Sequence, residues 1–202
     1  TLLSFKDFLQ LFIISGSKGI GKSLLIESLA KKILNNKISL ENNPDFHNLK
    51  ILDEKKLIGI NQIHELRNKL YESSFLGKNK VAVINEIEKI SIDGLNAILK
   101  ILEEPPKNTY FLISTNFLNQ IPLTIQSRCF DLRIASPEIN QSIEWLSDFQ
   151  TKDVLKALEI TNNSPLEAKY FLDKNLLDTR DDFVKDVSGI IKEGKDIISI
   201  SE

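Results

Sequence analysis

The sequence has 202 residues, of which 42% are hydrophobic and 27% are charged, with a formal net charge of -2. These proportions are typical of a globular chain with one large or two small domains. The near balance of 26 basic and 28 acidic residues argues against a strongly basic nucleic-acid surface. One cysteine and two histidines exclude a disulfide framework, and we expect no structural zinc site.

No apolar run approaches the roughly 18 residues that a membrane-spanning helix needs. The longest early apolar run, residues 11–14, has the length of a strand, and no basic segment precedes it. We therefore predict a cytoplasmic protein without a signal peptide or a membrane span. Because the chain begins with Thr1 and contains no methionine, we also expect it to start within a longer sequence.

The first predicted elements are a buried strand at residues 11–14 and a helix from about residue 24 to 34, where apolar residues recur at helical spacing. Residues 35–48 are polar and rich in turn-forming types, so we predict a loop there. A second helix fits the spacing of Ile63, Leu66 and Leu70.

Three more strands are predicted at residues 81–84, 110–113 and 130–134, with a helix over residues 91–104 between the first two of them. Proline cannot continue a helix, so Pro105-Pro106 ends this one. Five of its residues are predicted to share one buried face: Ile92, Leu95, Ile98, Leu99 and Leu102. Such alternation of strands and helices predicts an α/β fold with a parallel sheet flanked by helices.

From Pro137 onward the pattern is helical only, with Trp145 predicted to pack in the core of this part. We therefore predict an α/β domain at residues 1–136, a small all-helical domain at 137–175, and a remainder at 176–202.

Residues 16–23 match the phosphate-loop pattern G-x-x-x-x-G-K-S without a mismatch. Glycines let backbone N–H groups surround phosphate oxygens, and the predicted strand before the loop and helix after it supply the expected context. The less specific interpretation is a glycine-rich turn without a ligand. The candidate ligand-binding residues are Gly16, Ser17, Lys18, Gly19, Ile20, Gly21, Lys22 and Ser23, with Lys22 reaching phosphate and Ser23 binding Mg²⁺ weakly.

The strand at residues 81–84 ends in Asn85-Glu86, where P-loop enzymes usually have Asp-Glu. The aspartate helps to hold Mg²⁺ and the glutamate orients the attacking water, whereas an amide has no negative charge to offer the metal. Glu86 stays a candidate catalytic residue, but Asn85 argues against efficient hydrolysis. The alternative is that this pair only ends the strand.

Together these segments resemble the AAA+ clamp-loader subunits of bacterial DNA polymerase III, and most closely those of the delta-prime type. The resemblance covers about residues 10–172. Its most specific features are the leucine-rich helix that ends in Glu-Glu-Pro-Pro at 103–106 and the Ser-Arg-Cys segment at 127–129. Further resembling segments lie at residues 16–23, 43–46, 60–66, 80–88 and 110–116.

The resemblance implies an AAA+ domain with a helical lid, in a five-membered ring that opens the sliding clamp and places it on primed DNA. Its implied partners are the gamma/tau and delta subunits, the clamp indirectly, and primer-template DNA through the complex. It also implies that Arg128 projects into the ATP site of the neighbouring subunit, since a guanidinium is planar, always charged and able to bridge phosphate oxygens. The alternative is an arginine that pairs with a surface acid.

Thr115 and Asn116 follow a predicted core strand, where relatives place polar residues that sense the γ-phosphate, although they could simply end the strand. Hydrolysing relatives carry a sensor arginine in the lid that aligns here with Leu166. Asn85, Leu166 and residues 59–63 favour a delta-prime-like subunit whose own ATPase is weak or absent, with ATP and Mg²⁺ as candidate ligands. The alternatives are a gamma/tau-like hydrolysing subunit and, less favoured, a P-loop kinase outside replication.

Two departures from the family pattern accompany the resemblance. The four-cysteine zinc module that many relatives insert after the phosphate-loop helix is replaced by residues 35–48. We expect residues 176–202 to correspond only to the start of a truncated or absent collar domain.

Overall fold

The computed structural model describes residues 10–52, 55–76 and 79–193. The chain divides into two compact units, Thr1–Ala135 and Ser136–Glu202. This division falls beside the domain boundary that the sequence predicts at Pro137.

A parallel sheet forms the centre of the first unit. Its strands are β1 (Leu11–Ser15), β2 (Phe46–Leu49), β3 (Lys80–Ile84), β4 (Thr109–Thr115) and β5 (Phe130–Arg133). They are arranged in the order β2-β3-β4-β1-β5, and every neighbouring pair is parallel. The predicted α/β class is therefore confirmed. Because the strands are parallel, all of their carboxyl ends meet at one edge of the sheet, where ligands of open α/β sheets bind.

The strands alternate their side chains between two apolar layers, as the period of two requires. The helices described in this unit are α1 (Lys22–Leu34), α2 (Ile60–Tyr71), α3 (Ile92–Glu103) and the short α4 (Leu123–Gln126). Val81 and Val83 pack with helix α1, whereas Ala82 and Ile84 face the layer that contains helices α2 and α3. Both faces of the sheet are therefore covered, which explains why β3 is buried throughout.

Helix α3 begins and ends where the sequence predicts. The Ser91 hydroxyl accepts a hydrogen bond from the Gly94 N–H at 3.2 Å, and the helix ends at Glu103 before the two prolines. The prediction was wrong for Ile92, which is 82% exposed. At 3.6 residues per turn, Ile92 lies about 120° from the buried Ile98 around the helix axis, outside the packed stripe.

The interpretation of residues 35–48 as a loop was wrong in part. They contain a 3₁₀ turn at Leu40–Asn42, and they include the start of β2, an edge strand of the sheet. The sequence of β2 is Phe-His-Asn-Leu, in which only Leu49 is buried. This sequence contains neither the apolar run nor the alternation from which strands are predicted.

The second unit consists of helices α5 (Ile139–Trp145), α6 (Thr151–Ile160), α7 (Pro165–Asp173) and α8 (Leu176–Glu193) within the described residues. Leu146 is buried at the end of α5, whereas its neighbour Trp145 is 52% exposed, so the prediction of a core tryptophan was wrong. Adjacent helical residues lie 100° apart, and Leu146 takes the inward direction. The end of the predicted last region, 194–202, lies outside the described residues. No helix in residues 10–52, 55–76 and 79–193 is long and apolar enough to cross a membrane.

Candidate functional site

The predicted phosphate loop joins β1 to α1 at the carboxyl edge of the sheet. Gly19 has a φ of 74° and Gly21 a φ of 100°, which are backbone conformations that favour glycine. A Cβ added to Gly16 would lie 2.5 Å from the Ile134 carbonyl oxygen, so only glycine fits beside the chain that leaves β5. The glycines of the pattern therefore stand where the backbone conformation or a close neighbour disfavours any larger residue.

Lys22, the first residue of α1, is 7% exposed. Its ammonium donates hydrogen bonds to the carbonyl oxygens of Gly16 at 2.8 Å and Ser17 at 2.7 Å. It also donates to Oδ1 of Asn116 at 2.8 Å. A lysine head group has three N–H donors, so these acceptors hold its charge at the mouth of the loop and the end of β4.

Asn116 connects the loop lysine to the acidic residues that follow β3. Its Nδ2 donates to Oε1 of Glu86 at 2.9 Å, and its backbone N–H donates to Oε1 of Glu88 at 2.9 Å. An amide can accept from a cation and donate to an anion at the same time. The structure thus brings together Lys22, Asn116 and Glu86, which the sequence singled out separately because their strands are far apart in the chain.

The other predicted site residues are placed differently. Thr115 is fully buried, and its hydroxyl accepts a hydrogen bond from the Phe117 N–H at 3.0 Å, so the geometry favours Asn116 over Thr115 as the residue that faces a ligand. Ser23 lies exposed in the first turn of α1. Ser17 and Lys18 are exposed on the loop, and Ile20 packs near Gly16.

Asn85 stands where a metal-binding aspartate is usual. Its Nδ2 donates to Oδ1 of Asn48 at 3.1 Å, whereas its own Oδ1 is buried and has no hydrogen-bond partner among the described residues. Oε2 of Glu88 is also buried and has no hydrogen-bond partner among the described residues. The loop and Lys22 have the residue types of a phosphate site, while the side-chain oxygens of Ser23 and Asn85 are neutral and would bind a hard dication weakly. The described residues contain no cluster of three or more His, Cys, Asp or Glu suited to a metal.

Arg128 lies between α4 and β5, with its side chain 29% exposed. Its Nη1 donates to the Thr124 carbonyl oxygen at 2.6 Å, and its Nη2 pairs with Oε1 of Glu103 at 3.2 Å. The next residue, Cys129, is buried, and this burial raises the pKa of its thiol to about 12. Cys129 is therefore an unreactive core residue beside a surface arginine.

The sheet register separates Arg128 from the phosphate loop of its own chain. Phe130 pairs with Phe12 near the start of β1, and Arg133 pairs with Ser15 at its end. The loop follows Ser15, whereas Arg128 precedes Phe130, so the two lie at opposite ends of the β1–β5 pair. Three strand residues advance about 10 Å. Arg128 is thus not part of the site formed by the loop.

Two residues of this arrangement were not predicted in the roles that the structure gives them. Glu88, which holds the backbone of Asn116, follows Asn85 by three residues, and that spacing was its only signal in the sequence. Glu103 was singled out only as the end of a helix. Its pairing with Arg128 requires α3 to run back along the sheet, so that its last turn meets the segment before β5.

Comparisons with known proteins agree with this architecture. The family model described as "DNA polymerase III, delta subunit" matches residues 3–138. The chain is 35% identical to the DNA polymerase III subunit delta' of Buchnera aphidicola from Schizaphis graminum, over 81% of this chain and 50% of the relative. It is 27% identical to the subunit delta' of Haemophilus influenzae, over 86% of this chain and 58% of the relative.

The chain spans about half the length of these relatives. A crystal structure of a DNA polymerase III gamma subunit-related protein from Thermotoga maritima matches with a TM-score of 0.56 and 17% identity, covering 81% of this chain and 66% of that one. This likeness shows a shared fold. Since the family model spans the whole described sheet, with the phosphate loop and the Ser-Arg-Cys segment, the chain belongs to the DNA polymerase III delta subunit family.

Proposed function

We propose that this chain is a clamp-loader subunit of the delta-prime type, which donates Arg128 to the ATP site of a neighbouring subunit. The observation that carries the proposal is the place of Arg128, at the end of the β1–β5 pair opposite its own phosphate loop. From there it cannot serve a phosphate bound at that loop, yet it is partly exposed and can meet a second protein.

The chemistry of the side chain suits this role. A guanidinium keeps its charge at all working pH values and presents a planar fork of N–H donors that matches phosphate oxygens. In GTPases an arginine supplied in this way accelerates phosphoryl transfer by about 10³–10⁵. Arg128 is held by one carboxylate and one carbonyl at the surface, and an exposed ion pair of this kind is worth only about 0.2–1 kcal/mol. So weak a contact does not prevent Arg128 from binding triphosphate oxygens.

The chain's own loop is proposed to be a poor ATPase. It keeps Lys22 and the glycines that admit a triphosphate, but Asn85 provides a neutral oxygen where Mg²⁺ needs a charged one. Glu86, the candidate for orienting water, is engaged by the Asn116 amide. Any ATP and Mg²⁺ bound here would contribute structure and ring assembly more than turnover.

The proposed partners follow from the family and from relatives named subunit delta' and subunit gamma of DNA polymerase III. They are the gamma/tau and delta subunits of the clamp loader, the sliding clamp through the assembled complex, and primer-template DNA. The intact geometry of the phosphate loop favours a second candidate, a gamma-type subunit that hydrolyses ATP despite Asn85.

The first experiment tests the donated arginine. The full chain is reconstituted with the other clamp-loader subunits of its organism, and primer-template-stimulated ATPase is measured for the wild type and for Arg128→Ala. We expect the variant to lose at least tenfold in rate while its far-UV circular dichroism stays unchanged, since one surface guanidinium is removed. Arg133→Ala is the matched control, because Arg133 is a more exposed arginine of the same unit.

An unchanged rate for Arg128→Ala contradicts the proposal. The second candidate predicts instead that the isolated chain hydrolyses ATP in a single turnover and that Lys22→Ala abolishes this activity.

A further inference from the structure

Glu103 occupies a position that helix energetics do not favour. It is the last residue of α3, where the carbonyl ends of the helix concentrate partial negative charge and a carboxylate is mildly unfavourable. In the structure its Oε1 pairs with Nη2 of Arg128 at 3.2 Å. Resting on the proposed function, we infer that Glu103 is the positioning residue of Arg128, holding the guanidinium ready for the neighbour's triphosphate.

The geometry of the contact leaves the arginine able to bind something else. A guanidinium has five N–H donors, and in the part of the chain that the structure describes Arg128 uses one on Nη1 and one on Nη2. The two acceptors belong to different elements, the end of α3 and the first turn of α4. Two anchors fix the plane of the group, and three donors remain for phosphate oxygens.

An inhibitory role for Glu103 fits the geometry less well. A carboxylate that sequesters an arginine does so best with two parallel hydrogen bonds from the guanidinium fork to both of its oxygens. Here only one oxygen takes part, at 3.2 Å, and the Glu103 side chain is 50% exposed. The contact orients Arg128 without covering it.

Orientation matters because a free arginine side chain samples many rotamers. The conformational entropy lost when a long side chain is fixed reduces the free energy of every contact that it then makes. If Glu103 and the Thr124 carbonyl already restrict Arg128, less entropy is lost when it docks on the neighbouring subunit. The strength of an exposed pair limits the gain in rate to about fivefold at most.

The test compares Glu103→Gln with Glu104→Gln in the reconstituted complex. Both variants remove one carboxylate at the end of α3, but among the hydrogen bonds of the described residues Glu104 takes part through its backbone oxygen, which accepts from the Tyr71 hydroxyl. We expect Glu103→Gln to lower the primer-template-stimulated ATPase about two- to fivefold and Glu104→Gln to leave it unchanged. In an Arg128→Ala background, Glu103→Gln should have no further effect.

A second readout uses the isolated full chain. With ¹⁵N-labelled arginine, the Nη–H signals of Arg128 should be separate in the wild type and in Glu104→Gln, because the group is held, and averaged in Glu103→Gln. Equal spectra for the two variants would overturn the inference.

The ATPase outcomes distinguish this inference from the proposed function. A Glu103→Gln complex at or above the wild-type rate, with Arg128→Ala still impaired, overturns the positioning role alone and leaves the donated arginine in place. If Arg128→Ala has the wild-type rate, the proposed function fails and the inference fails with it.

Discussion

The amide of Asn116 accepts a hydrogen bond from the Lys22 ammonium and donates one to the Glu86 carboxylate. Only a neutral group with both an acceptor and a donor can do this between a cation and an anion. The substitution Asn116→Asp keeps the shape and the acceptor but removes the donor. We expect it to destabilise the first unit, and to do so more strongly at high pH than at low pH.

The size of this destabilisation follows from the distances of Asn116 to Lys22 and Glu86. With an effective dielectric constant of about 20, the new carboxylate attracts Lys22 at 2.8 Å and repels Glu86 at 2.9 Å by about 6 kcal/mol each, so the two charge interactions nearly cancel. What remains is the lost hydrogen bond to a charged acceptor, about 1.5–3 kcal/mol. A protonated carboxyl can again donate to Glu86, so the folded state raises the pKa of the introduced group above its unfolded value of about 3.9.

The sign of the pH dependence follows by linkage. A raised pKa in the folded state means that the folded variant binds more protons, so its stability relative to the wild type is greatest below pH about 4. It then falls as the pH rises through the raised pKa. The assay is urea unfolding followed by circular dichroism at pH 4.5 and 8. Hydrogen exchange of the β4 amides localises the effect, because a chain with two units need not unfold in one step.

Asn48→Asp is the matched control. It makes the same change at the same edge of the sheet, where Asn48 acts as an acceptor from Asn85 and a carboxylate can replace it. We expect little loss of stability and little pH dependence. A penalty for Asn116→Asp that is absent, or equal at both pH values, would refute the argument that donor loss dominates.

Two further predictions concern the ends of β1 and β5. Gly16→Ala should destabilise the chain by about 1–3 kcal/mol, because its Cβ would lie 2.5 Å from the Ile134 carbonyl oxygen. The control is Gly59→Ala, whose Cβ would have no atom within 4 Å. Equal urea midpoints for the two variants would contradict the predicted clash. Cys129 should react with a disulfide reagent at pH 8 about 10³-fold more slowly in the folded chain than in urea, since its thiol pKa is about 12 against 9.0 when exposed. Rapid labelling of the folded protein would show that the thiol is neither buried nor protonated.

The parts of the fold that the sequence predicted are those in which local pattern and burial agree. β1, β3 and β4 are apolar runs because they lie inside the sheet with helices on both faces. β2 was missed because His47 and Asn48 interrupt its apolar pattern and Leu49 is its one buried residue, whereas β5, the other edge strand, was predicted although it is mostly exposed. The length and caps of α3 were predictable from Ser91 and the prolines, but its inward stripe was not, since Ile92 follows the three- and four-residue spacing and still lies outside.

In the candidate site, the residues could be predicted from the sequence but the contacts between them could not. Residue types and spacing identified Lys22, Glu86 and Asn116 as candidates, each by the strand that it follows. That the three form one hydrogen-bonded chain depends on β4 lying between β1 and β3, and this strand order is a property of the tertiary fold. The same holds for Glu103 and Arg128, which are joined only because α3 returns along the sheet.

The strand register constrains how a complete ATP site can be assembled from such chains. A phosphate loop at the carboxyl end of β1 and an arginine that precedes β5 cannot act on one triphosphate within one chain, since the strands hold them apart. They can do so when the arginine edge of one subunit meets the loop edge of the next, which is a head-to-tail contact and generates a ring when the rotation closes. In such a ring each interface needs one competent loop and one arginine. Under the proposed function, a subunit with Arg128 and with Asn85 in its own loop site would supply the arginine for one interface, and Asn85 would leave the neighbouring site that receives this arginine unaffected.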